Sequence, residues 1–284
     1  MNEPMAKHTT FQVGGPVKYA ALAASADELK AALAEAAENG VAVRVIGRGS
    51  NLLVADRGFD GLIVILGDAF SRVAADGETV TAEAGLSLAR LARTAQENGL
   101  AGLEFASGIP GSVGGGVFMN AGAYGGMLGD VIESVTLLGP EGIVTVPGGE
   151  MGFGYRMSRA KRTGEIVLGA KFRLTKDDPA AILARMNELN ARRREKQPLN
   201  YPSAGSTFKR PEGYFAGALI EQAGLKGTRA GGASVSGKHA GFIVNDGGAT
   251  AADIRSLIRL VQDRVFAMSG VTLEPEVEMI GFED

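Results

Sequence analysis

Residues 108–126 read Gly-Ile-Pro-Gly-Ser-Val-Gly-Gly-Gly-Val-Phe-Met-Asn-Ala-Gly-Ala-Tyr-Gly-Gly, and eight of these nineteen residues are glycine. Because glycine loses the most backbone entropy in a regular element, this density predicts a loop that needs positive φ or that exposes main-chain amides to a ligand. A phosphate-bearing ligand is the natural candidate. The alternative is close packing between neighbouring elements.

A second glycine loop, Gly47-Arg-Gly-Ser-Asn51, follows a predicted strand, as the first two glycines of a dinucleotide-binding fingerprint would. Leu52 stands in the place of the third glycine and opens a strand-like stretch, which argues against a Rossmann turn. The chain also lacks the Gly-Lys-Ser/Thr of a Walker A loop. Taken alone, this loop is better interpreted as a plain turn. Together, the two loops could hold a pyrophosphate between them.

The composition narrows the class of protein. The chain has 284 residues, 45% of them hydrophobic, and a net charge of −3, which suits one large or two ordinary domains. Charges of both signs are scattered, so neither nucleic-acid binding nor a membrane-surface patch is indicated. With no cysteine and only His8 and His239 as histidines, we expect no disulfide and no metal site. Because the chain has no cysteine, redox chemistry would need a bound cofactor.

The chain also gives no sign of a targeting segment. No apolar run approaches the roughly 18 residues of a membrane span, and the N-terminal Met-Asn-Glu-Pro-Met-Ala-Lys lacks the apolar core of a signal peptide. We therefore expect a cytoplasmic protein that acts on small molecules, with no obligate protein partner.

Hydrophobic periodicity and turn residues predict an α+β protein. The predicted helices span residues 25–39, 86–98, 177–196, 215–223 and 250–268. The predicted strands span residues 41–46, 52–54, 62–66, 80–84, 131–138, 143–146, 166–174, 242–245 and 273–280. The long polar helix near residues 177–196 is the best linker candidate, because residues 197–203 beyond it are rich in helix breakers.

Further motifs follow the two loops in order along the chain. They are Phe153-Gly-Tyr-Arg-Met-Ser158, Lys196-Gln-Pro198, Ser203-Ala-Gly-Ser-Thr-Phe-Lys209, residues 240–245 and Leu273-Glu-Pro-Glu-Val277. With these motifs the chain resembles the UDP-N-acetylenolpyruvoylglucosamine reductase family from about Thr9 to Gly281. It is similar to the shorter type of that family, which lacks a tyrosine-bearing loop.

The resemblance implies a fold and a domain division. The family belongs to the vanillyl-alcohol-oxidase, or PCMH-type, flavoproteins, which hold FAD through loops instead of a Rossmann turn. We therefore expect a two-subdomain PCMH-type FAD-binding unit at residues 1–178, with subdomains at about 1–68 and 69–178. A C-terminal α+β substrate domain is expected at residues 179–284.

The resemblance also implies an activity. Family members reduce the enolpyruvyl ether of UDP-N-acetylglucosamine to UDP-N-acetylmuramate for peptidoglycan synthesis, using NADPH and non-covalently bound FAD. The positions that match the family's FAD loops are Ile46, Gly47, Arg48, Gly49, Ser50, Asn51, Leu52, Gly108, Ile109, Pro110, Gly111, Ser112, Gly114, Gly115, Asn120 and Gly122.

Three residues match the family's catalytic positions. Hydride delivery to the enolpyruvyl β-carbon builds negative charge next to a carboxylate, and a fixed cation and a hydrogen-bond donor lower that barrier. Arg156 and Glu276 match this pair, with Glu276 either protonated or sharing a hydrogen bond with Arg156. Ser206 matches the donor of the proton to the α-carbon. Without the resemblance, Arg156 would be interpreted as a surface cation, Ser206 as a turn residue and Glu276 as a strand-end charge.

The substrate-binding positions that the resemblance implies are Tyr124, Tyr155, Lys196, Lys209, Arg210 and His239. Relatives usually carry asparagine where this chain has Arg210, and a guanidinium could replace that contact with a bidentate phosphate pair. His239 is as well explained by a structural role. The run Arg192-Arg-Arg194 fits a solvated helix face better than a diphosphate clamp.

Two other functions compete with the reductase. The first is a different FAD-dependent oxidase or dehydrogenase of the same superfamily, which the C-terminal motifs and the lack of a histidine or cysteine in a flavin loop disfavour. The second is a non-catalytic nucleotide-sugar binding module, which the presence of Arg156, Ser206 and Glu276 disfavours.

Overall fold

The computed structural model describes residues 2–282. Its α-helices are α1 (Ala26–Glu38), α2 (Leu88–Glu97), α3 (Val113–Met119), α4 (Arg159–Thr163), α5 (Pro179–Lys196), α6 (Ala216–Gln222) and α7 (Ala251–Ser269). Its strands are β1 (Glu3–Pro4), β2 (Pro16–Ala23), β3 (Val43–Ile46), β4 (Leu52–Val54), β5 (Phe59–Leu66), β6 (Val73–Asp76), β7 (Thr79–Glu83), β8 (Leu100–Ala101), β9 (Gly122–Ala123), β10 (Gly126–Met127), β11 (Ile132–Gly139), β12 (Gly142–Pro147), β13 (Ile166–Arg173), β14 (Thr175–Lys176), β15 (Arg229–Ala230), β16 (Ala233–Val235), β17 (Ile243–Asn245) and β18 (Glu278–Ile280). Among the described residues, no helix combines the length and the apolar character that crossing a membrane requires.

Local capping signals set the ends of the predicted helices. The Ser25 hydroxyl accepts the Glu28 N–H at 3.2 Å where α1 begins. Thr250 and Asp253 form a reciprocal capping box at the start of α7, with bonds of 3.0 and 2.9 Å. Helix α7 ends at Gly270, whose φ of 69° is left-handed. The predicted helices that correspond to α1, α2, α5, α6 and α7 are therefore confirmed.

The described chain divides into two compact units. The central unit comprises Ala21–Arg48 and Ile63–Arg193, and the terminal unit comprises the residues up to Ala20, Gly49–Leu62 and the residues from Arg194 onward. This division differs from the predicted boundary at residue 178, because two N-terminal stretches pack with the C-terminal part of the chain.

The central unit is built on a five-stranded antiparallel sheet. The strand order is β12-β11-β13-β7-β6, with Ala170 of β13 opposite Ala82 of β7. Helix α2 buries its apolar stripe of Leu88, Leu91, Ala92 and Ala95 in the core of this unit. Helix α3, the segment after α2 and helix α5 also contribute to that core.

The terminal unit combines a small sheet with two helices. Strands β15, β16 and β17 pair in order and antiparallel, and the apolar face of α7 packs with them and with α6. Strand β18 pairs in parallel with β4, with Met279 opposite Leu53. Phe11 and Leu53 lie in the same core as α7. The Asp56 carboxylate accepts the first two amides of α7, Ala251 and Ala252, at 2.8 Å each.

Two local predictions are wrong. Part of the glycine-rich segment expected to be a loop forms α3, with Ser112 as its N-cap. The predicted strand at residues 273–280 is a strand only from Glu278, because residues 274–276 form only an isolated bridge with residues 207–209. Strands β1, β2 and β6 lie outside the predicted strands.

Candidate active site

The two predicted glycine loops meet in the central unit. A side chain at Gly47 would collide with the Ser112 hydroxyl, so only glycine permits this approach. Ser112 is 2% exposed, and its oxygen accepts the Gly115 N–H at 3.4 Å. Gly47 follows the buried Ile46 at the end of β3, and the neighbouring Arg48 is already paired with Asp68 at 2.6 Å.

Close packing accounts for part of the glycine-rich segment. The amides of Val113 and Gly114 donate at 2.8 Å to the carbonyls of Leu86 and Ala84. A Cβ at Gly114 would lie 2.9 Å from the Ala84 Cβ. The first amides of α3 are thus bonded within the protein, and the packing alternative holds for these positions.

The stretch that precedes α3 is fixed at its backbone. Ile109 donates to the Ala106 carbonyl at 3.1 Å, and the Gly111 carbonyl accepts the Leu88 N–H at 3.1 Å. Pro110 between them is exposed, and Gly111 has a φ of 134°. Residues 108–111 therefore form a segment that backbone hydrogen bonds hold beside the Gly47 turn.

The remainder of the first glycine loop lies in the terminal unit and contacts the Glu276 segment. A side chain at Gly49 would collide with the His8 carbonyl oxygen. After Ser50, the Asn51 amide donates to the Glu276 carbonyl at 2.9 Å, and the Asn51 carbonyl accepts the Glu278 N–H at 2.9 Å. Leu52 then opens β4. A predicted FAD-binding residue and a predicted catalytic residue are therefore neighbours.

Ser206 lies next to the same segment. The Thr207 carbonyl accepts the Glu276 N–H at 2.8 Å, and the Glu274 carbonyl accepts the Lys209 N–H at 2.8 Å. The Thr207 side chain is fully buried and accepts the Ile243 N–H at 3.0 Å. Ser206 itself is exposed. The terminal unit thus brings Ser206, Glu276 and Asn51 together on three hydrogen-bonded stretches of the chain.

Two tight turns in the central unit carry the remaining predicted aromatic and cationic residues. Tyr124 has a φ of 54° and lies in the turn between β9 and β10. Tyr155 and Arg156 form the turn between Gly154 and Met157, and the Arg156 guanidinium carbon lies 4.9 Å from the centre of the Tyr155 ring. Both tyrosines are exposed, whereas Arg156 is half-buried.

Asn120 and Gly122 occupy interior positions beside these turns. Asn120 is 1% exposed, and its amide nitrogen donates to the Gly154 carbonyl at 2.9 Å. A Cβ at Gly122 would lie 2.6 Å from the Gly126 carbonyl oxygen. The structure therefore gives both residues contacts inside the protein.

The predicted substrate-binding cations of the terminal unit differ in their surroundings. Lys196 is the exposed last residue of α5, and Lys209 forms an ion pair with Glu274. The Arg210 guanidinium stacks on the Phe215 ring at 3.9 Å.

His239 has a structural environment in the terminal unit. Its Nδ1 accepts the Gly241 N–H at 3.1 Å, and its ring meets Phe242 edge-on at 5.0 Å. Burial lowers the pKa of His239, which favours the neutral ring. These contacts support the structural alternative, although the predicted substrate contact stays a prediction.

Arg193 is a candidate phosphate-binding residue that the sequence alone did not distinguish from Arg192 and Arg194. Its side chain lies against Gly108, the first residue of the glycine-rich segment. A Cβ at Gly108 would be 3.1 Å from the Arg193 Cδ and 3.6 Å from its Nη1. Burial lowers the pKa of Arg193, and the nearby Tyr124 raises it. Within residues 2–282, Arg193 forms no hydrogen bond or ion pair. Arg192, in contrast, pairs with Glu188 in solvent at 2.5 Å.

A helical stripe could have identified Arg193. Ile182, Met186 and Leu189 face the core of the central unit, and Arg193 continues their 4-3-4 spacing along α5. Asn190, the residue after Leu189, donates to the Ser107 hydroxyl at 3.1 Å. Arg193 is therefore the arginine that the helix turns toward the glycine-rich segment.

The residues present fit a bound dinucleotide. Glycine at position 47 is required by the approach of Ser112, and the adjoining segment offers a desolvated cation, Arg193, without an acidic partner in residues 2–282. A pyrophosphate needs such a combination of close backbone and positive charge. No group of three or more histidine, aspartate or glutamate residues suited to a metal ion occurs among the described residues.

Comparison with known proteins identifies the family of the chain. Residues 17–146 match the family described as FAD binding domain, and residues 197–280 match the family described as UDP-N-acetylenolpyruvoylglucosamine reductase, C-terminal domain. The UDP-N-acetylenolpyruvoylglucosamine reductase of Latilactobacillus sakei is 49% identical over 99% of this chain and 92% of its own length. That of Levilactobacillus brevis is 50% identical over 99% of this chain and 93% of its own length.

A solved structure extends the comparison to three dimensions. The crystal structure of UDP-N-acetylenolpyruvylglucosamine reductase from Thermus caldophilus matches with a TM-score of 0.84 and 36% identity, covering 98% of this chain and 97% of that one. The resemblance inferred from the motifs and the expected α+β, PCMH-type fold with a C-terminal domain are thereby confirmed. The chain belongs to the UDP-N-acetylenolpyruvoylglucosamine reductase family.

Proposed function

We propose that this reductase converts UDP-N-acetylglucosamine enolpyruvate to UDP-N-acetylmuramate with NADPH and bound FAD, as a step of peptidoglycan precursor synthesis in the cytoplasm. The observation that carries the proposal is the backbone link between Asn51, Glu276 and Thr207, which sets a predicted cofactor residue beside Glu276 and Ser206. The names and the high coverage of the relatives support the same reaction.

The chemistry that FAD supplies when bound is the relay of a hydride from NADPH to the enolpyruvyl β-carbon. The protein must then stabilise the negative charge that this transfer pushes toward the substrate carboxylate. We assign the fixed positive charge to Arg156 and a hydrogen-bonding role to Glu276. Each preorganised group of this kind lowers the barrier by about 3 kcal/mol.

The backbone that carries Glu276 is held in place. Its backbone is fixed on both faces, by the Thr207 carbonyl at 2.8 Å and the Asn51 amide at 2.9 Å. A group fixed in advance loses little reorganisation energy when charge develops. Pro275, which pairs with Phe208 across the two stretches, adds rigidity to the same backbone.

Ser206 is assigned the proton donor to the α-carbon. Its neighbour Thr207 is fully buried and bonded to Gly241 and Ile243 at 2.9 and 3.0 Å, so the backbone of Ser206 is anchored while its side chain is exposed. Serine is a weak acid, but the carbanion-like form of the substrate is far more basic. A positioned hydroxyl therefore suffices.

The proposed cofactor contacts combine backbone and charge. Within the central unit, Gly47, Ser112 and residues 108–111 are the proposed contacts with the FAD pyrophosphate. Asn51 is a further proposed FAD-binding residue. Arg193 supplies the positive charge that these glycine segments lack, because Arg48 is neutralised by Asp68. Tyr124, Tyr155, Lys196, Lys209, Arg210 and His239 stay proposed substrate contacts.

The function is tested on the purified full-length chain. Denaturation should release a flavin, and NADPH should be consumed with UDP-N-acetylglucosamine enolpyruvate but not with simple 2-hydroxy acids. A colourless preparation that takes up no added FAD would contradict every flavoenzyme assignment. Turnover of hydroxy acids without turnover of the enolpyruvate would favour the oxidase alternative.

Replacing Arg193 is expected to weaken FAD binding. Because hydrogen bonds to charged groups contribute about 1.5–3 kcal/mol, Arg193→Met should raise the FAD Kd about 10- to 100-fold. Arg192→Met on the solvent side of the same helix is the matched control and should bind FAD normally. Flavin fluorescence titration of the apoprotein measures both, and equal affinities for the two variants would contradict the role of Arg193.

A further inference from the structure

The turn that carries Arg156 holds a conformation its own sequence does not favour. Gly154 and Met157 exchange two backbone hydrogen bonds, of 3.1 and 3.2 Å, around Tyr155 and Arg156. Of the two central residues only Arg156 has positive φ, at 55°, a position in which such turns prefer glycine or asparagine. Side-chain-bearing residues keep this conformation only where the surroundings enforce it.

The enforcing contact comes from Asn120 at the end of α3. Its amide nitrogen donates at 2.9 Å to the Gly154 carbonyl, the same oxygen that accepts the Met157 N–H and closes the turn. Its amide oxygen accepts the Gly129 N–H at 2.8 Å. Asn120 is 1% exposed, so these bonds form away from water, where a lost partner is expensive.

A second anchor holds the far side of the turn. The Ser158 hydroxyl is fully buried and donates to the Phe118 carbonyl at 2.7 Å. It also accepts the Lys161 N–H at 3.3 Å and so caps α4. Phe118 and Asn120 both belong to the last turn of α3 and its C-cap. The end of α3 therefore fixes the chain on both sides of Arg156.

We propose that Asn120 is a positioning residue that sets the direction of the Arg156 guanidinium through the Gly154 carbonyl. This inference rests on the proposed function, in which Arg156 stabilises developing charge. A fixed charge loses its effect when it is displaced by about 1 Å. The alternative is that Asn120 is needed only because asparagine tolerates its own left-handed φ of 43°.

Two substitutions separate these explanations in the full-length, FAD-loaded protein. Asn120→Gly keeps the left-handed backbone and deletes both amide bonds, whereas Asn120→Ala deletes the same bonds and adds backbone strain. The expected result is at least a tenfold slower anaerobic reoxidation of the reduced flavin by UDP-N-acetylglucosamine enolpyruvate in both variants. Reduction by NADPH, measured on the same preparations, should fall less than reoxidation does, because an effect of Asn120 on the flavin itself would slow both half-reactions. A Gly variant with wild-type reoxidation would overturn the proposal.

The double variant with Arg156→Ala distinguishes a positioning role of Asn120 from a merely structural one. In an Arg156→Ala background, Asn120→Gly should slow reoxidation by less than twofold further, because the guanidinium it positions is gone. An equal loss in both backgrounds would overturn the inference alone. If Arg156→Ala reoxidises at the wild-type rate, the proposed role of Arg156 fails and the inference fails with it.

A second substitution keeps the proposal testable if Asn120→Gly does not fold. Should Asn120→Gly yield no FAD-loaded protein, Asn120→Asp replaces it, since its carboxylate still accepts the Gly129 N–H but cannot donate to the Gly154 carbonyl. The same tenfold loss and the same absence of further loss with Arg156→Ala are expected. Wild-type reoxidation by Asn120→Asp would contradict the proposal.

Discussion

The Ser206→Ala variant is expected to be reduced by NADPH at nearly the wild-type rate and to be reoxidised by UDP-N-acetylglucosamine enolpyruvate about 10²- to 10⁴-fold more slowly. The hydroxyl is the proposed proton donor to the α-carbon and takes no part in the reduction of the flavin. Anaerobic stopped-flow measurement of the flavin absorbance separates the two half-reactions.

Ser203→Ala is the matched control for this variant. Ser203 precedes Ser206 by three residues in the same segment and is half-buried, so its loss tests whether any hydroxyl there disturbs the fold. We expect both half-reactions of this control to stay within twofold of the wild type. If Ser206→Ala instead lost the NADPH half-reaction, its assignment as proton donor would be wrong.

Arg156→Ala is expected to lower kcat about 10²- to 10³-fold, the usual effect of removing one preorganised group that stabilises developing charge. Arg156→Lys should recover only part of this loss, because an ammonium keeps the charge but not the planar, bidentate geometry. Measuring kcat and KM separately decides the role.

Arg93→Ala is the control for loss of an arginine from the central unit. Arg93 forms an exposed ion pair with Glu97, and such a pair contributes about 0–1 kcal/mol to stability. Its kcat should equal that of the wild type. An Arg156→Ala variant that changed KM alone would show that Arg156 binds the ground state and does not act on the barrier.

Much of the fold is predictable because its signals are local. The capping residues Ser25 and Thr250 and the terminating Gly270 define helix ends within a few positions of the chain. Helix α3 escapes prediction because glycine has a low helix propensity. In the structure, Gly116 packs closely against Leu88 and Leu128, and a Cβ there would lie 2.8 Å from the Leu128 side chain. This is a tertiary effect.

The division of the chain into two compact units could not be predicted from local sequence. Leu53 and Phe11 pack with α7, and nothing in their immediate sequence identifies partners some 200 residues away. The motifs identified Asn51 and Glu276 separately, but their bond spans 225 residues and becomes visible only in the structure. The site roles of these residues stay predictions.

Arg193 could have been identified from the sequence, whereas the contact of Asn120 could not. The apolar stripe of α5 distinguishes Arg193 from Arg192 once the helical period is applied. Asn120 follows a glycine-rich stretch that carries no period, so its bond to Gly154 has no counterpart in the local sequence.

The most direct test of the proposed reaction is a single turnover in D2O without oxygen. The FAD-loaded chain is first reduced by one equivalent of NADPH and then mixed with UDP-N-acetylglucosamine enolpyruvate. The flavin should reoxidise with formation of one equivalent of UDP-N-acetylmuramate, and the α-carbon of the new lactyl group should carry deuterium from solvent. A flavin that stays reduced until oxygen is admitted would contradict the reaction proposed for this chain.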